Sequence, residues 1–159
     1  MIEVKNIEKS FGESKVLKGI STVFDTGKTN LIIGQSGSGK TVMLKSLLGI
    51  FTPESGTISF DGRIYSELDP DEKRELRTEI GMVFQGSALF DSMTVEENIG
   101  FPLKMFTNKS DEEIRERANV VINRVNLINA NTKKPSEISG GMQKRVAIAR
   151  AIVNNPKYL

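Results

Sequence analysis

Alternating apolar and polar residues in the first part of the chain predict short, half-buried β-strands. Residues 2–5 and 20–24 read as strands of this kind. Residues 57–60 and 63–65 predict two further strands joined by Asp61-Gly62, a dipeptide that favours a two-residue hairpin turn. These segments together predict an antiparallel β-layer.

Two other segments are compact apolar runs. Residues 29–33 and 80–84 are short and rich in apolar or β-branched side chains, as is typical of strands buried on both faces of a parallel sheet. They predict that the antiparallel layer accompanies a parallel core sheet, which makes the fold class α/β.

Capping signals and apolar stripes place the helices. Asp69-Pro70 predicts an N-cap followed by proline at the first helical position, and Gly49 predicts the end of an earlier helix. Capping-box spacing occurs at two more sites, Thr94 with Glu97 and Ser110 with Glu113. The two later helices have apolar faces made of Ile114, Ala118, Val121, Ile122 and Val125, and of Val146, Ala149, Ile152 and Val153.

Composition narrows the function classes only slightly. The chain has 159 residues, 38% of them hydrophobic, with 22 basic and 20 acidic side chains, so no nucleic-acid surface is expected. It contains no cysteine, which excludes disulfides and thiol catalysis and is compatible with a cytoplasmic location. No apolar run approaches the roughly 18 residues that a membrane span requires.

The strongest chemical signal is a complete G-x-x-x-x-G-K-[ST] motif, here called the phosphate loop. Between a predicted strand and a predicted helix, backbone amides of such a loop point at phosphates. Its lysine reaches the terminal phosphates, and its threonine hydroxyl binds Mg²⁺. We therefore expect a nucleoside triphosphate and Mg²⁺ to bind the residues Gly34, Gln35, Ser36, Gly37, Ser38, Gly39, Lys40 and Thr41.

A second glycine motif precedes the last helix, and it carries a family resemblance. Residues 138–142 read Ile-Ser-Gly-Gly-Met, and basic residues and Ala149-Arg150-Ala151 follow. Ser-Gly-Gly alone is a common helix cap, but two glycines also let a phosphate approach the backbone closely. After a phosphate loop, this segment resembles the Leu-Ser-Gly-Gly-Gln signature of ABC transporter ATPases, with Ile138 and Met142 as mild variants.

The resemblance implies roles for further residues. Gln85 corresponds to the glutamine that contacts Mg²⁺ and the attacking water, so both Thr41 and Gln85 are expected at the metal. Phe11 corresponds to the aromatic residue that stacks on adenine, with Val16 nearby; a plain core position is the alternative for Phe11. The residues expected to face the ATP of a second copy, in a head-to-tail homodimer, are Ser139, Gly140, Gly141, Met142 and Gln143.

The resemblance also implies partners and a location. In this family a transmembrane permease subunit docks near the segment corresponding to residues 85–103. Leu89-Phe90 and Phe101-Pro102-Leu103 look most similar to the Mla-type lipid-trafficking ATPases of Gram-negative bacteria, so lipid transport is expected by analogy. The implied location is the cytoplasm, peripheral on the cytoplasmic face of the inner membrane.

The chain departs from the family pattern after the signature helix. No apolar strand ending in Asp-Glu follows, there is no D-loop, and no histidine occurs anywhere. We expect an incomplete domain: 1–85 as β-layer and phosphate-loop core, 86–150 as a mainly helical subdomain with the signature, and 151–159 as the lead-in to the missing Walker B strand. Such a fragment of a longer gene product should hydrolyse ATP very poorly.

Other function classes stay open at this point. A non-transport ABC ATPase of repair or translation would usually carry tandem domains or long inserts. A phosphate-loop kinase or GTPase would need a lid or a guanine-reading motif, and the Ser139-Gly140-Gly141 signature counts against it. A binding-only fragment without turnover is the remaining alternative.

Overall fold

The computed structural model describes the whole chain, Met1–Leu159. It contains two compact units, Met1–Lys73 and Arg74–Leu159. The strands are β1 (Ile2–Phe11), β2 (Ser14–Phe24), β3 (Ser55–Phe60) and β4 (Arg63–Ile64). The α-helices are α1 (Lys40–Leu47), α2 (Pro70–Thr78), α3 (Val95–Phe106), α4 (Asp111–Arg124) and α5 (Gly140–Ile152). Short 3₁₀ turns occupy Tyr65–Glu67 and Pro135–Glu137.

The first unit is built on a four-stranded antiparallel sheet in the order β2-β1-β3-β4, which confirms the predicted β-layer. β1 and β2 both extend beyond their predicted ends and pair along most of their length. The β3–β4 hairpin turns at Asp61 (φ 48°) and Gly62 (φ 84°), the two positive φ angles that a type I′ turn requires. The sheet buries the apolar side chains of Val4, Ile7, Leu17, Ile58 and Phe60.

Helix α1 ends at the predicted glycine. Gly49 has φ 69°, its N–H donates to Ser46 O at 3.0 Å, and the N–H of Ile50 donates to Lys45 O at 2.9 Å. This is the Schellman arrangement, which favours glycine at the left-handed position. A Cβ at Gly49 would also lie 1.9 Å from Tyr65 Oη, so the position requires glycine for space as well.

The parallel core sheet is incomplete, in agreement with the incomplete domain expected from the sequence. The individual strand predicted at residues 29–33 is not formed. Residues 29–33 have no strand partner, and Leu31 and Ile33 are 80% and 83% exposed. Within 80–84, pairing is limited to a single parallel bridge between Ile80 and Tyr158. The physical reason is that an apolar run becomes a strand only where another backbone pairs with it, and residues 29–33 belong to no sheet.

The second unit is helical, as expected for the region that follows Gln85. Helices α3, α4 and α5 pack around one apolar core. The core is formed by Val95, Ile99, Leu103, Ala118, Val121, Ile122, Leu127, Ala130, Ile138, Val146, Ala149 and Val153. None of the five α-helices has the length and apolar character needed to cross a membrane.

The predicted helix starts are confirmed by their hydrogen bonds. Thr94 Oγ1 accepts from the Glu97 N–H at 3.2 Å, and the Glu97 carboxylate accepts from the Thr94 N–H at 2.7 Å. Ser110 and Glu113 form the same reciprocal pair at 3.2 and 2.7 Å. Asp69 and Glu72 do so at the start of α2, at 2.8 and 2.9 Å. These capping boxes use local chemistry that the sequence displays directly.

The capping boxes predict acid sensitivity of the second unit. The backbone hydrogen bonds from Thr94 and Ser110 lower the pKa of Glu97 and Glu113. A lowered pKa stabilises the fold above the unfolded-state pKa, and that contribution is lost as the pH falls through the folded-state pKa. We expect the melting temperature to fall on acidification below about pH 4.5. Thermal melts of the Glu97→Gln/Glu113→Gln variant should show a shallower pH dependence.

The matched control for this prediction is Glu116→Gln on α4. Glu116 is exposed and lies outside the capping box, so its replacement should leave the acid branch of the melting curve unchanged. Equal slopes for the wild-type chain and the double variant would contradict the assignment.

Candidate functional site

The phosphate loop, residues 34–41, has a backbone that glycine makes possible. Gly37 has φ 80° and Gly39 has φ 92°, both in the left-handed region that other residues seldom adopt. Between them the Ser38 N–H donates to Gln35 O at 3.2 Å, which tightens the loop into a turn. The loop leads directly into α1, as predicted from the motif.

Gly39 fits against the sheet with no room for a side chain. A Cβ there would lie 3.1 Å from Val16 Cγ1, 3.2 Å from Leu17 Cδ2 and 3.3 Å from Val16 O. Gly39 is buried, and Val16 is half-buried beside it. The structure thus brings Val16, a predicted nucleotide-contacting residue, next to the phosphate loop.

Lys40 folds back across the loop. Its Nζ donates to Gly34 O and to Gln35 O, both at 2.7 Å. An ammonium group has three N–H donors, so these two bonds leave one for a ligand. The charge of Lys40 therefore lies where the loop curves, which is the position expected for a group that binds a phosphate oxygen.

The start of α1 presents backbone amides without a protein cap. Gly39, the N-cap residue, supplies no side-chain hydrogen bond, and the first helical bond runs from the Met43 N–H to Gly39 O at 2.8 Å. The amides of the preceding turn, together with the helix dipole, favour an anion here. Thr41 is exposed in this first turn. The donor set and the glycine-lined loop fit a phosphate group accompanied by Mg²⁺.

Phe11 ends β1 and is 44% exposed. Its ring packs edge-on against Phe51, with centroids 5.2 Å apart at 72°, and Lys9 Nζ lies 5.7 Å from its centroid. A half-exposed aromatic ring with one supported edge can stack on a planar base. Its predicted role at adenine stays a prediction.

Gln85 lies in the second unit, on an exposed turn. The Ser87 N–H donates to Phe84 O at 3.1 Å, closing this turn around Gln85 and Gly86. The side chain of Gln85 is solvent-exposed, and the strand predicted at residues 80–84, directly before it, is not formed. An exposed amide can reach a ligand, which is compatible with the predicted role of Gln85. Its contact with Mg²⁺ and the attacking water stays a prediction.

The signature segment, residues 139–143, forms the start of α5. Ser139 is the N-cap, and its Oγ accepts from the Met142 N–H at 3.3 Å. A Cβ on Gly140 would meet nothing within 4 Å, so the backbone of the exposed glycine is open to approach. Met142 is half-buried against the core, and Gln143 Nε2 donates to Pro135 O at 2.9 Å.

The residues of the signature segment differ in exposure, and this separates those open to a ligand from those that contact the protein. Ser139, Gly140 and Gly141 are exposed at the helix start, where a phosphate could contact them. Met142 and Gln143 hold the segment in place through their contacts with the protein. Their predicted contact with the ATP of a second copy stays a prediction.

An aromatic groove of about 290 Å³ lies in the second unit, close in sequence to Gln85. Phe84 and Phe90 are 41% and 40% exposed at this groove, although large aromatic rings are usually buried or engaged by a partner. Phe90 packs on Phe101 with centroids 4.6 Å apart. The groove includes part of the segment 85–103 for which the family resemblance implies a partner.

Sequence reasoning missed the roles of two buried polar side chains in this region. Asn98 is 0% exposed and Arg150 is 9% exposed. Asn98 carries no motif signal, and Arg150 belongs to the signature resemblance without a role of its own there. The available signal was a polar residue at an otherwise apolar helical position.

No cluster of three or more His, Cys, Asp or Glu side chains that could hold a metal ion by themselves is present. A magnesium ion at the phosphate loop would therefore take its ligands from a hydroxyl such as that of Thr41, from phosphate oxygens and from water.

Comparison with known proteins decides the family. A model of the family described as "ABC transporter" matches residues 17–159, which include the phosphate loop, Gln85 and the signature segment. The chain belongs to the ABC transporter family. The match spans both compact units and confirms the resemblance drawn from the two glycine motifs.

Curated ABC transporter relatives match along almost the whole chain. The probable ribonucleotide transport ATP-binding protein mkl of Mycobacterium leprae is 42% identical over 158 residues, covering 99% of this chain and 46% of that protein. A spermidine/putrescine import ATP-binding protein, PotA of Nitrosospira multiformis, is 40% identical and covers 100% of this chain and 42% of its own length. The chain thus spans less than half the length of these relatives.

Solved ABC transporter structures confirm the fold. The dimeric structure of MJ0796, a bacterial ABC transporter cassette, aligns with a TM-score of 0.87 and 37% identity, covering 98% of this chain and 71% of that one. A dimeric post-hydrolysis state of MJ0796 bound to ADP and Pi aligns with a TM-score of 0.86 and 36% identity. The fold is therefore that of the ABC ATPase type of P-loop NTPase.

Proposed function

We propose that this chain carries the ATP-binding part of an ABC transporter ATPase subunit, and that it binds Mg-ATP at the phosphate loop. The observation that carries the proposal is the folded geometry of residues 34–41. Two left-handed glycines, the inward-folded Lys40 and the uncapped start of α1 form one anion-binding concavity.

Each part of the loop has a distinct role in this proposal. Backbone amides at the start of α1 bind the phosphate oxygens, and Lys40 donates its remaining N–H to the terminal phosphates. Thr41 binds the Mg²⁺ through its hydroxyl, and Gln85 is a further ligand. The ion supplies positive charge that offsets the negative charge developing on the phosphate oxygens during phosphoryl transfer. Phe11 stacks on the base, and Val16, which packs against Gly39, contacts the nucleotide beside it.

We further propose that the intact protein is an ATPase that works as a head-to-tail homodimer. Ser139, Gly140 and Gly141 of one copy face the ATP held by the phosphate loop of the other. The exposed glycine backbone at the start of α5 supports this, because an incoming phosphate needs close approach to amides. The similar cassette MJ0796 is dimeric in its solved structure, which offers a precedent.

A transmembrane permease is the proposed partner, docking at residues 85–103. The exposed rings of Phe84 and Phe90 in the aromatic groove support an apolar partner segment. Such a partner would hold the protein at the cytoplasmic face of the inner membrane of a bacterium. The docking site and this location are inferred together from family membership.

Lipid is the proposed transport substrate. A relative from Arabidopsis thaliana, 41% identical over 154 residues and covering 96% of this chain and 44% of that protein, is named after trigalactosyldiacylglycerol, a glycolipid. Relatives of similar identity are named for ribonucleotides and for spermidine or putrescine. The support for lipid is therefore one relative's name together with the likeness to Mla-type ATPases.

Nucleotide-dependent stabilisation tests the binding proposal. At a concentration of Mg-ATP about 100-fold above Kd, we expect the folded chain to gain about 2.7 kcal/mol, seen as a raised melting temperature. AMP is the matched control ligand, since it offers the same base without the terminal phosphates that the loop is proposed to bind. Equal stabilisation by AMP and Mg-ATP, or none by either, would contradict phosphate binding at residues 34–41.

A further inference from the structure

Arg150 joins helix α5 to the turn that follows Gln85. Its guanidinium donates from Nη1 to Ala88 O and from Nη2 to Ser87 O, both at 2.9 Å. These bonds connect positions more than 60 residues apart in sequence, because Arg150 lies on α5 while Ser87 and Ala88 follow Gln85. The helix that begins at the signature segment is therefore bonded directly to the Gln85 turn.

The turn that Arg150 contacts has an uncommon backbone. Gly86, Ser87 and Ala88 have φ angles of 76°, 66° and 45°, three left-handed residues in succession. Left-handed φ is costly for non-glycine residues and persists where the surroundings hold it in place. Two charge-assisted hydrogen bonds to the carbonyls of Ser87 and Ala88 are the kind of contact that does this.

Arg150 is buried, and its contacts are with backbone carbonyls and an aromatic ring. Arg150 is 9% exposed, and no carboxylate forms an ion pair with it. Its Cζ lies 5.9 Å from the ring centroid of Phe90, which adds a cation–π contact. Burial lowers the pKa of Arg150, but a guanidinium stays protonated in proteins. A buried charge is costly unless it is hydrogen-bonded, and here two backbone carbonyls accept from the guanidinium.

The other end of the same segment is held separately. Asn98 Oδ1 accepts from the Phe90 N–H at 2.8 Å, and Asn98 Nδ2 donates to Phe90 O at 3.0 Å. These bonds stay within the approach to α3 and do not reach α5. The hydrogen bonds that join the Gln85 turn to the signature helix are thus the two that Arg150 donates.

We propose that Arg150 is a positioning residue that fixes the backbone after Gln85 to the signature helix, so that Gln85 and Ser139 keep a constant separation. The consequence for the ATPase is that a displacement of the Gln85 turn is passed to the signature segment instead of being absorbed by a flexible loop. This consequence rests on the proposed function, whereas the connection itself is a property of the unit Arg74–Leu159.

Hydrogen exchange of the nucleotide-free chain tests the connection. In Arg150→Met, which keeps an unbranched stem but has no donors, we expect amides of residues 86–90 to exchange about tenfold faster, with α5 little changed. Arg150→Lys should restore part of the protection, because an ammonium can still donate to one or both carbonyls. The matched control is Arg145→Met on the same helix, whose guanidinium donates to Asn126 O at 3.3 Å; it should leave residues 86–90 unchanged.

A distance measurement supplies the readout that a merely structural role would not change. The chain has no cysteine, so spin labels can be attached at Gln85→Cys and at Lys144→Cys, which are exposed positions on the turn and on α5. We expect a narrow distance distribution when Arg150 is present and a broad one in Arg150→Met, at a temperature where both chains are folded.

Two results would overturn the proposal. One is unchanged exchange at residues 86–90 with an unchanged label distance in Arg150→Met. The other is a uniform rise of exchange throughout Arg74–Leu159, which would make Arg150 an ordinary contributor to stability. Neither measurement uses nucleotide, so failure of Mg-ATP to stabilise the wild-type chain would count against the proposed function alone.

Discussion

Replacing Lys40 by alanine should remove about half or more of the stabilisation that Mg-ATP gives to this chain. The ammonium lies 2.7 Å from both Gly34 O and Gln35 O, which leaves its third N–H for a phosphate oxygen. A hydrogen bond to a charged group contributes about 1.5–3 kcal/mol, equivalent to roughly 10- to 100-fold in affinity. At a ligand concentration 100-fold above the wild-type Kd, a 100-fold loss reduces the stabilisation from about 2.7 to about 0.4 kcal/mol.

Thermal melts with and without Mg-ATP measure this loss, and Lys28→Ala is the matched control. Lys28 is exposed and lies before the phosphate loop, so its removal changes the net charge equally without touching residues 34–41. Its ATP-dependent shift should equal that of the wild-type chain. An undiminished shift in Lys40→Ala would refute the role of Lys40, and equal losses in both variants would point to a general charge effect.

The parts of the structure that the sequence predicted are those determined by neighbouring residues. The capping box of Ser110 needs a carboxylate three positions later, and the hairpin at Asp61-Gly62 needs two residues that tolerate positive φ. Gly49 ends α1 for the same reason. In each case the partners lie within a few positions of one another, so their order along the chain already places them in contact.

The parts that it missed depend on distant backbone. The apolar pattern of residues 29–33 is that of a buried strand, but pairing requires a second backbone, and Leu31 and Ile33 lie exposed without one. The contact of Arg150 with Ser87 and Ala88 joins residues more than 60 positions apart and follows no periodic pattern. Sequence reasoning located Gln85 and the signature segment but had no means to find the side chain that connects them.

In the candidate site, too, features set by neighbouring residues were predictable and contacts between distant residues were not. The glycines of the phosphate loop were predictable because the motif fixes their spacing, and the structure gives Gly37 and Gly39 the expected left-handed angles. The packing of Val16 on Gly39 was not predicted, since it joins a strand to a loop that follows it at a distance in sequence. Local chemistry thus identifies the ligand-binding groups, and tertiary contacts set their positions.

Replacing Asn98 by leucine should lower the free energy of unfolding of the second unit by about 2–4 kcal/mol, because buried groups left without partners cost about 1–3 kcal/mol each. Asn98 is fully buried, and its side chain bonds the Phe90 N–H, Phe90 O, Met93 O and Thr94 O at 2.8–3.2 Å. Leucine has a similar size but no donor or acceptor. The polar groups around residues 90–94 would then have to find water or remain unpaired.

Urea unfolding followed by circular dichroism measures this loss, with Asn123→Leu on α4 as the matched control. Asn123 is exposed, so its replacement should change stability by no more than about 0.5 kcal/mol. The stability of Asn98→Asp should lie between those of Asn98→Leu and Asn123→Leu. Its carboxylate still accepts from the Phe90 N–H but cannot donate to the carbonyls while ionised. Burial should raise the pKa of that aspartate. The loss of unfolding free energy relative to the wild-type chain should therefore shrink as the pH falls, because the protonated acid regains a donor. A pH-independent deficit, or equal stability of Asn98→Leu and Asn123→Leu, would show that these four hydrogen bonds do not hold the approach to α3.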